Sequence, residues 1–246
     1  MFLPAETLET LLPGRLKIYQ KKKGVRFSTD AVLLSYFANV HQGERVLEIG
    51  TGSGVIALLL AFVKGANVTA VEIQKEYADM ARRSVLLNQL EENIQVVEGD
   101  VRSLRLSSSR YDVVVSNPPF YPYKKEARRQ GDAARIPAMR EKYLTLEELS
   151  EAVHRHLSVK GRVYMIYPAE RREEWIRAMK SVNIHLKSEI VVYPHINAPP
   201  SRVLLEGARE KPVSIETDSL VLRSQGTETE EMINIYRSLG YFGESR

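Results

Sequence analysis

From Arg45 onward, hydrophobic and polar positions fall into two alternating patterns. Short β-branched runs at Val46-Leu47-Glu48-Ile49, Val68-Thr69-Ala70-Val71-Glu72, Asn93 to Glu98 and Tyr111 to Ser116 predict strands. Between them, the apolar stretch Val55 to Val63 predicts a buried helix that stops near Lys64-Gly65, and Lys75 to Gln89 carries helical spacing. Beyond a basic stretch, Leu144 to Leu157 reads as a helix, Arg162 to Tyr167 as a strand and Arg171 to Ser181 as a helix. Such β-α alternation predicts an α/β fold with a doubly wound, mostly parallel sheet.

The two ends break this rhythm. His185 to Tyr193 and Arg202 to Ala208 are consecutive extended segments with no helix between them, so they should pair as an antiparallel hairpin at one sheet edge. With them the sheet is seven-stranded. Thr227 and Glu230 have the spacing of a capping box before Met232, Ile235, Tyr236 and Leu239, with Gly240 as the stop. Near the start, Leu11 to Phe27 mixes Pro13, Gly14 and Gly24 with the alternating Leu16-Lys17-Ile18-Tyr19, which predicts a small strand or hairpin. Ser28 or Thr29 then offers an N-cap for a helix carrying Val32, Leu33, Tyr36 and Phe37. The expected organisation is an N-terminal extension over 1–27 and one domain over 28–246.

Composition narrows the classes. A chain of 246 residues, 43% hydrophobic and 27% charged, can bury a sizeable core. It contains no cysteine, which excludes disulfides, thiolate nucleophiles and Cys-containing zinc sites. Met1 to Leu12 holds Glu6 and Glu9 and has no basic start before an apolar core, so it does not read as a secretory signal. Val55 to Val63 is too short to span a bilayer. The expectation is a cytoplasmic protein. No metal is expected either, because His154 and His156 stand two apart on a predicted helix and point to different faces. Trp175 reads as core packing.

Charge is modest in total, at +4, but unevenly placed. Arg15 to Arg26 has six basic residues and no acidic ones, and Tyr121 to Lys142 has seven basic against three acidic. Concentrated basicity suits a phosphate backbone, although solvated loops carry the same pattern.

The strand ends carry the chemistry. Tyr111 to Val115 runs into Ser116-Asn117-Pro118-Pro119-Phe120, which displays an amide, two rigid prolines and an aromatic ring just past a buried strand. In open α/β sheets that is where ligands bind. The turn Glu48-Ile49-Gly50-Thr51-Gly52-Ser53-Gly54 lacks the dinucleotide spacing, since position 55 is Val. Its glycines let a ligand approach the backbone, the following helix favours an anionic group, and Glu48 favours a cation. Glu72, 22 residues after Gly50, suits ribose hydroxyls, and Asp100 suits an adenine amino group with Val101 beside the ring. Three successive strands ending in acids describe a site for an adenosyl ligand with a charged amino-acid tail.

Val46 to Leu58, Glu72, Gly99-Asp100 and Asn117-Pro118-Pro119-Phe120, in this order and spacing, resemble the Rossmann-like class I S-adenosylmethionine-dependent methyltransferases of the Asn-Pro-Pro-aromatic type. The resemblance spans roughly Phe27 to Arg209. The stretch Gly24 to Leu34 is similar to the start of the tRNA adenine-N6 methyltransferases, which modify a tRNA for valine beside the anticodon. The resemblance implies S-adenosylmethionine as cofactor, held by Phe27, Thr29, Glu48, Gly50, Thr51, Gly52, Gly54, Glu72, Ile73, Asp100, Val101 and Asn117. It implies a reaction centre of Asn117, Pro118, Pro119 and Phe120. There the Asn117 side-chain oxygen and the Pro118 carbonyl accept the two protons of an amino nitrogen, and Phe120 stacks on the base. RNA, and tRNA in particular, is the implied partner, met by Lys21, Lys22, Lys23, Arg26, Tyr121, Lys124, Lys125, Arg128 and Arg129. Many relatives have Tyr where Phe120 stands, so a phenol hydroxyl plays no part here.

The same motif serves glutamine-N5 methylation of release factors and guanine-N2 methylation of ribosomal RNA. It fixes an amino or amide nitrogen without fixing its owner. A catalytically silent RNA-binding protein of the same fold is the alternative outside enzymes, and the intact Asn117 to Phe120 motif argues against it.

Overall fold

The computed structural model describes residues 5–23, 28–106, 110–118 and 144–241. In chain order these form β1 (Glu6–Leu12), β2 (Leu16–Lys21), α1 (Thr29–Phe37), β3 (Arg45–Ile49), α2 (Val55–Lys64), β4 (Asn67–Glu72), α3 (Lys75–Leu87), β5 (Ile94–Glu98), β6 (Tyr111–Ser116), α4 (Leu146–His156), β7 (Leu157–Pro168), α5 (Arg172–Ser181), β8 (His185–His195), β9 (Arg202–Ala208), β10 (Glu216–Ser224), β11 (Thr227–Glu228) and α6 (Glu230–Ser238).

One nine-stranded sheet carries the fold, in the order β11-β10-β8-β9-β7-β6-β3-β4-β5. Strands β3 to β8 and β10 all run one way, and β9 and β11 are reversed. The seven strands read from the sequence are β3 to β9, and β8 and β9 pair antiparallel as expected. They are not the edge, however. β10 pairs parallel with β8 and β11 pairs with β10, so the sheet is two strands wider than the sequence indicated. The reason is visible in Glu216–Ser224, where Leu220 is the one buried residue and no core-facing alternation announces a strand.

Local chemistry sets the helix ends. α2 is apolar on nearly all sides because its residues Val55 to Ala61 are buried, and it stops at Gly65, which adopts a left-handed conformation with φ 67°. Lys64, in its last turn, donates to the Tyr36 and Ala38 carbonyls and so closes the end of α1. Thr145 caps α4 in a full capping box with Glu148. The cap of α6 differs from the sequence expectation. Thr229 accepts from the Met232 amide at 3.2 Å and donates to the Val221 carbonyl at 2.7 Å, whereas Thr227 lies in β11. Both threonines have an acid three residues or fewer downstream, and only the end of β11 decides between them.

Trp175 is fully buried on α5, with its indole N–H 3.1 Å from the Met165 sulfur. His156 is buried beside Tyr111, while the exposed His154 has its Nδ1 2.8 Å from the Val182 carbonyl. The β1–β2 hairpin is docked on α3. The Tyr19 amide donates to Ser84 Oγ at 3.0 Å, Arg83 grips Glu6 through two bonds of 2.7 and 2.8 Å, and Lys17 exchanges backbone bonds with the Asn88 side chain. Leu11, Leu12, Leu16 and Ile18 join the main core. Among the described residues no helix is long and apolar enough to cross a membrane.

Candidate active site

Strand order reverses between β3 and β6. From β3 the chain moves outward through β4 to β5, then returns to the other side of β3 as β6. The crevice at such a switch point, beyond the carboxyl ends of the strands, is where open α/β sheets bind ligands. Register defines what lines it. Ile49 is level with Val71 on one side and Ser116 on the other, so Gly50, Glu72 and Asn117 form the next row up, at the rim of the sheet. Neighbouring strands lie about 4.8 Å apart, which sets the scale of the row. A buried hydrogen bond closes it, from Ser116 Oγ to the Ile49 carbonyl at 2.8 Å.

The glycine turn after β3 is shaped by its residue types. Gly50, Gly52 and Gly54 have φ of 78°, 57° and 95°, a region other residues rarely occupy. The Gly50 and Thr51 amides both donate to the Val71 carbonyl, which folds the turn back over β4. A Cβ built at Gly50 or Gly52 would meet nothing within 4 Å, so the backbone there faces open space. At Gly54 it would lie 3.3 Å from the Ala81 Cβ, so this third glycine serves the approach of α2 and α3.

Glu48 is 1% exposed. Burial pushes its carboxyl up to about 7, against a hydrogen bond from the Thr51 hydroxyl at 2.7 Å and another from the Ala57 amide. The Thr51 contact ties Glu48 to the glycine turn above it. Glu72 is also buried, and its carboxyl is raised by burial against hydrogen bonds from the Gln74 and Gly52 amides, both 2.9 Å. It braces the glycine turn from the neighbouring strand. Neither bracing role is visible in the one-dimensional spacing.

Asp100 follows β5 and Gly99, and Val101 beside it is buried. The Asp100 carboxylate is held by a near neighbour. Arg102 reaches it with its backbone amide, with Nε to both oxygens and with Nη2, and this guanidinium holds the carboxyl below its usual range. Three N–H donors of one residue, the Nε–H shared between both oxygens, thus meet this carboxylate. Arg102 also pairs with Glu148 at 2.8 Å, which ties this loop to the start of α4.

At the expected reaction centre Asn117 is half-buried and Pro118 buried. Thr29 and Asp30 open α1, where Asp30 accepts from Arg202 at 3.1 Å. Ile73 follows Glu72 and is partly exposed. Of the expected RNA contacts, Lys21 pairs with Glu76 and lies 4.7 Å from the Tyr77 ring centre, and Lys22 and Lys23 are exposed. Arg26, Phe27, Pro119, Phe120, Tyr121, Lys124, Lys125, Arg128 and Arg129 lie outside the described residues. The described part thus brings Glu48, Gly50, Thr51, Gly52, Glu72 and Asn117 to one crevice, with Asp100 at its far end.

A doubly wound sheet with this switch-point crevice is the Rossmann-like architecture of the methyltransferases. An O-methyltransferase, so far a predicted one, from Agrobacterium tumefaciens matches it with a TM-score of 0.64 at 20% identity, over 87% of this chain and 98% of that one. A geranyl diphosphate methyltransferase solved in complex with S-adenosylmethionine matches with a TM-score of 0.56 at 13% identity, over 74% and 84%. The chain belongs to the methyltransferase small domain family, whose model matches residues 23–181. A tRNA1(Val) (adenine(37)-N6)-methyltransferase of Bacteroides fragilis is 30% identical over 190 residues, 76% of this chain and 79% of the relative. The enzyme of the same name from Trichodesmium erythraeum is 28% identical over 225 residues, 89% and 92% of the two chains.

Proposed function

We propose that this protein transfers a methyl group from S-adenosylmethionine to N6 of adenine 37 in tRNA1(Val). The observation that carries the reading is that Gly50, Glu72 and Asn117 follow Ile49, Val71 and Ser116, which the sheet holds level, so a glycine turn and a buried acid adjoin an amide. The names of the relatives, over most of both chains, support the choice of nucleic acid over protein.

The crevice suits the cofactor in shape and donor set. Open backbone at Gly50 and Gly52 leaves room for the methionine part, the first turn of α2 favours its carboxylate, and Glu48 favours its ammonium. Glu72 keeps carboxylate lone pairs for the ribose beyond the two amides it already accepts. S-adenosylmethionine, when bound, supplies an electrophilic methyl group on a sulfonium.

The chain itself must make a poor nucleophile competent. The lone pair of an adenine amino group is delocalised into the ring. Asn117 Oδ1 and the Pro118 carbonyl accept its two N–H groups, which favours a tetrahedral nitrogen with its lone pair directed at the crevice. Pro119 keeps the turn stiff and Phe120 stacks on the base. Catalysis is then positioning and electrostatics, with no strong base. An adenine beside an anticodon lies in a loop, where an unstacked base can enter such a pocket.

The test is incubation with bulk tRNA and labelled S-adenosylmethionine, followed by mass spectrometry of the nucleosides. Label in N6-methyladenosine at one adenine of tRNA1(Val) is expected. Label in N2-methylguanosine, or in protein glutamine alone, overturns the assignment.

A further inference from the structure

The cofactor half of the crevice is β3, β4 and β5, so the methyl acceptor must approach from the other side, over β6 and its neighbours. There the sheet does not stop at the rim. Ser116 at the end of β6 pairs with Met165, but β7 continues through Ile166, Tyr167 and Pro168, and Pro168 pairs with Arg202 of β9. Arg202 pairs with Val192, and β8 then runs on through Tyr193, Pro194 and His195. His195 therefore stands six residues above the Ser116 row, or about 20 Å along the strands at 3.3 Å per residue. These strands build a raised bank on the substrate side of Asn117.

The crest of the bank is a tight turn. The Ala198 amide donates to the His195 carbonyl at 3.0 Å, so Ile196 and Asn197 are its two corner residues, and the Ser201 amide returns to the Val192 carbonyl at 2.9 Å. Pro199 and Pro200 stiffen the return. Exposed turn corners are the usual place for Gly, Pro, Asn, Asp or Ser. Here one corner is a β-branched hydrophobe that is 67% exposed, and the other is an exposed Asn. Single exposed hydrophobes are ordinary. This one stands on the carboxyl-end side of the sheet, three strands across from Asn117, or about 14 Å at 4.8 Å per strand, and is paired with an amide that offers a donor and an acceptor side by side, which is what the face and edge of an unstacked base require.

We propose that the turn His195–Ala198 is a recognition element for the loop nucleotides that flank the target adenine, with Ile196 against a base face and Asn197 on a base edge. The inference rests on the tRNA reading above. It concerns base contact and not phosphate contact, so it predicts specificity without a salt signature.

The experiment compares wild type with Ile196→Ser/Asn197→Ala and with Ile196→Phe. The double variant should lose about tenfold in kcat/KM for tRNA, while its calorimetric affinity for S-adenosylmethionine stays within twofold and the salt dependence of tRNA binding keeps the same slope. Ile196→Phe, which preserves an apolar face, should stay within threefold of wild type. A kcat/KM unchanged in the double variant overturns the proposal, as does a loss matched by an equal loss of cofactor affinity. A wild type that labels no tRNA is a separate result, seen before any variant is made, and it removes the tRNA reading itself.

Discussion

The two halves of the rim, divided between β3 and β6, are built from opposite materials. On the cofactor side the strands end in acids and glycines: Glu48 before Gly50, Gly52 and Gly54, then Glu72, then Gly99-Asp100. On the substrate side they end in neutral residues and prolines: Ser116-Asn117-Pro118, Tyr167-Pro168, and Tyr193-Pro194-His195 with Pro199-Pro200 beyond. Glycine removes side chains so that a small ligand can lie on the backbone, and buried acids match its positive charge. Proline does the reverse: it gives no N–H to the ladder and stiffens the chain, past the end of β6 at Pro118 and within β7 and β8 at Pro168 and Pro194. On the proposed function one half is a mould for a fixed small molecule and the other a rigid platform for a large one, and the comparison can be broken at three places.

The largest effect is expected at Asn117. If the substrate half acts on the nitrogen and not on the donor, Asn117→Ala should lower kcat roughly 10²- to 10³-fold, the scale of losing one preorganised polar group in a transition state. Calorimetric affinity for S-adenosylmethionine should change little. Turnover near wild type would remove Asn117 from the chemistry, and a parallel collapse of cofactor binding would erase the division between the halves.

A smaller effect is expected from Glu48, whose carboxyl is held up to about 7 by burial. Because its ordinary value is 4.5, the unfolded chain releases this proton first as pH rises, so the ligand-free protein should lose stability between about pH 4.5 and 7 and be flat above. A cationic ligand reverses the preference by favouring the carboxylate. Affinity for S-adenosylmethionine should therefore rise roughly eightfold from pH 6 to pH 7.5, the proton no longer having to be displaced. Glu48→Gln should flatten both profiles. An unaltered pH dependence of binding in that variant would show that the cation does not sense this acid.

The same division explains what the sequence made legible. The cofactor half is local: Glu48 to Gly54 is one contiguous turn, and Glu72 and Asp100 each end the next strand, so spacing alone assembles them. Their bracing bonds were not legible, because Gly52 to Glu72 and Thr51 to Glu48 depend on how the turn folds back on β4. The engagement of Asp100 by Arg102 lies two residues away and still escapes a reading by motif, since any exposed Arg has the same sequence signature. On the substrate half, Asn117 was legible and the bank was not. His195 stands beyond the rim because Arg202 of β9 is level with both Pro168 of β7 and Val192 of β8, a register that no motif announces, and β10 hides in a polar segment.

The smallest expected effect lies on the seam between the halves. Ser116 is fully buried, and its hydroxyl donates to the carbonyl of Ile49, so one hydrogen bond joins the residue before Asn117 to the residue before Gly50. A neutral buried hydrogen bond contributes about 1 kcal/mol net, and if that contribution fixes the distance between donor and acceptor loops, its loss corresponds to about fivefold in rate. Ser116→Ala should then lower kcat about fivefold with the KM for both substrates nearly unchanged, because each half still binds its own ligand. Hydrogen exchange should rise in peptides covering both 49–54 and 113–118. Faster exchange on one side only, with kcat intact, would mean that the two loops are positioned independently and that the seam between them carries no catalytic strain.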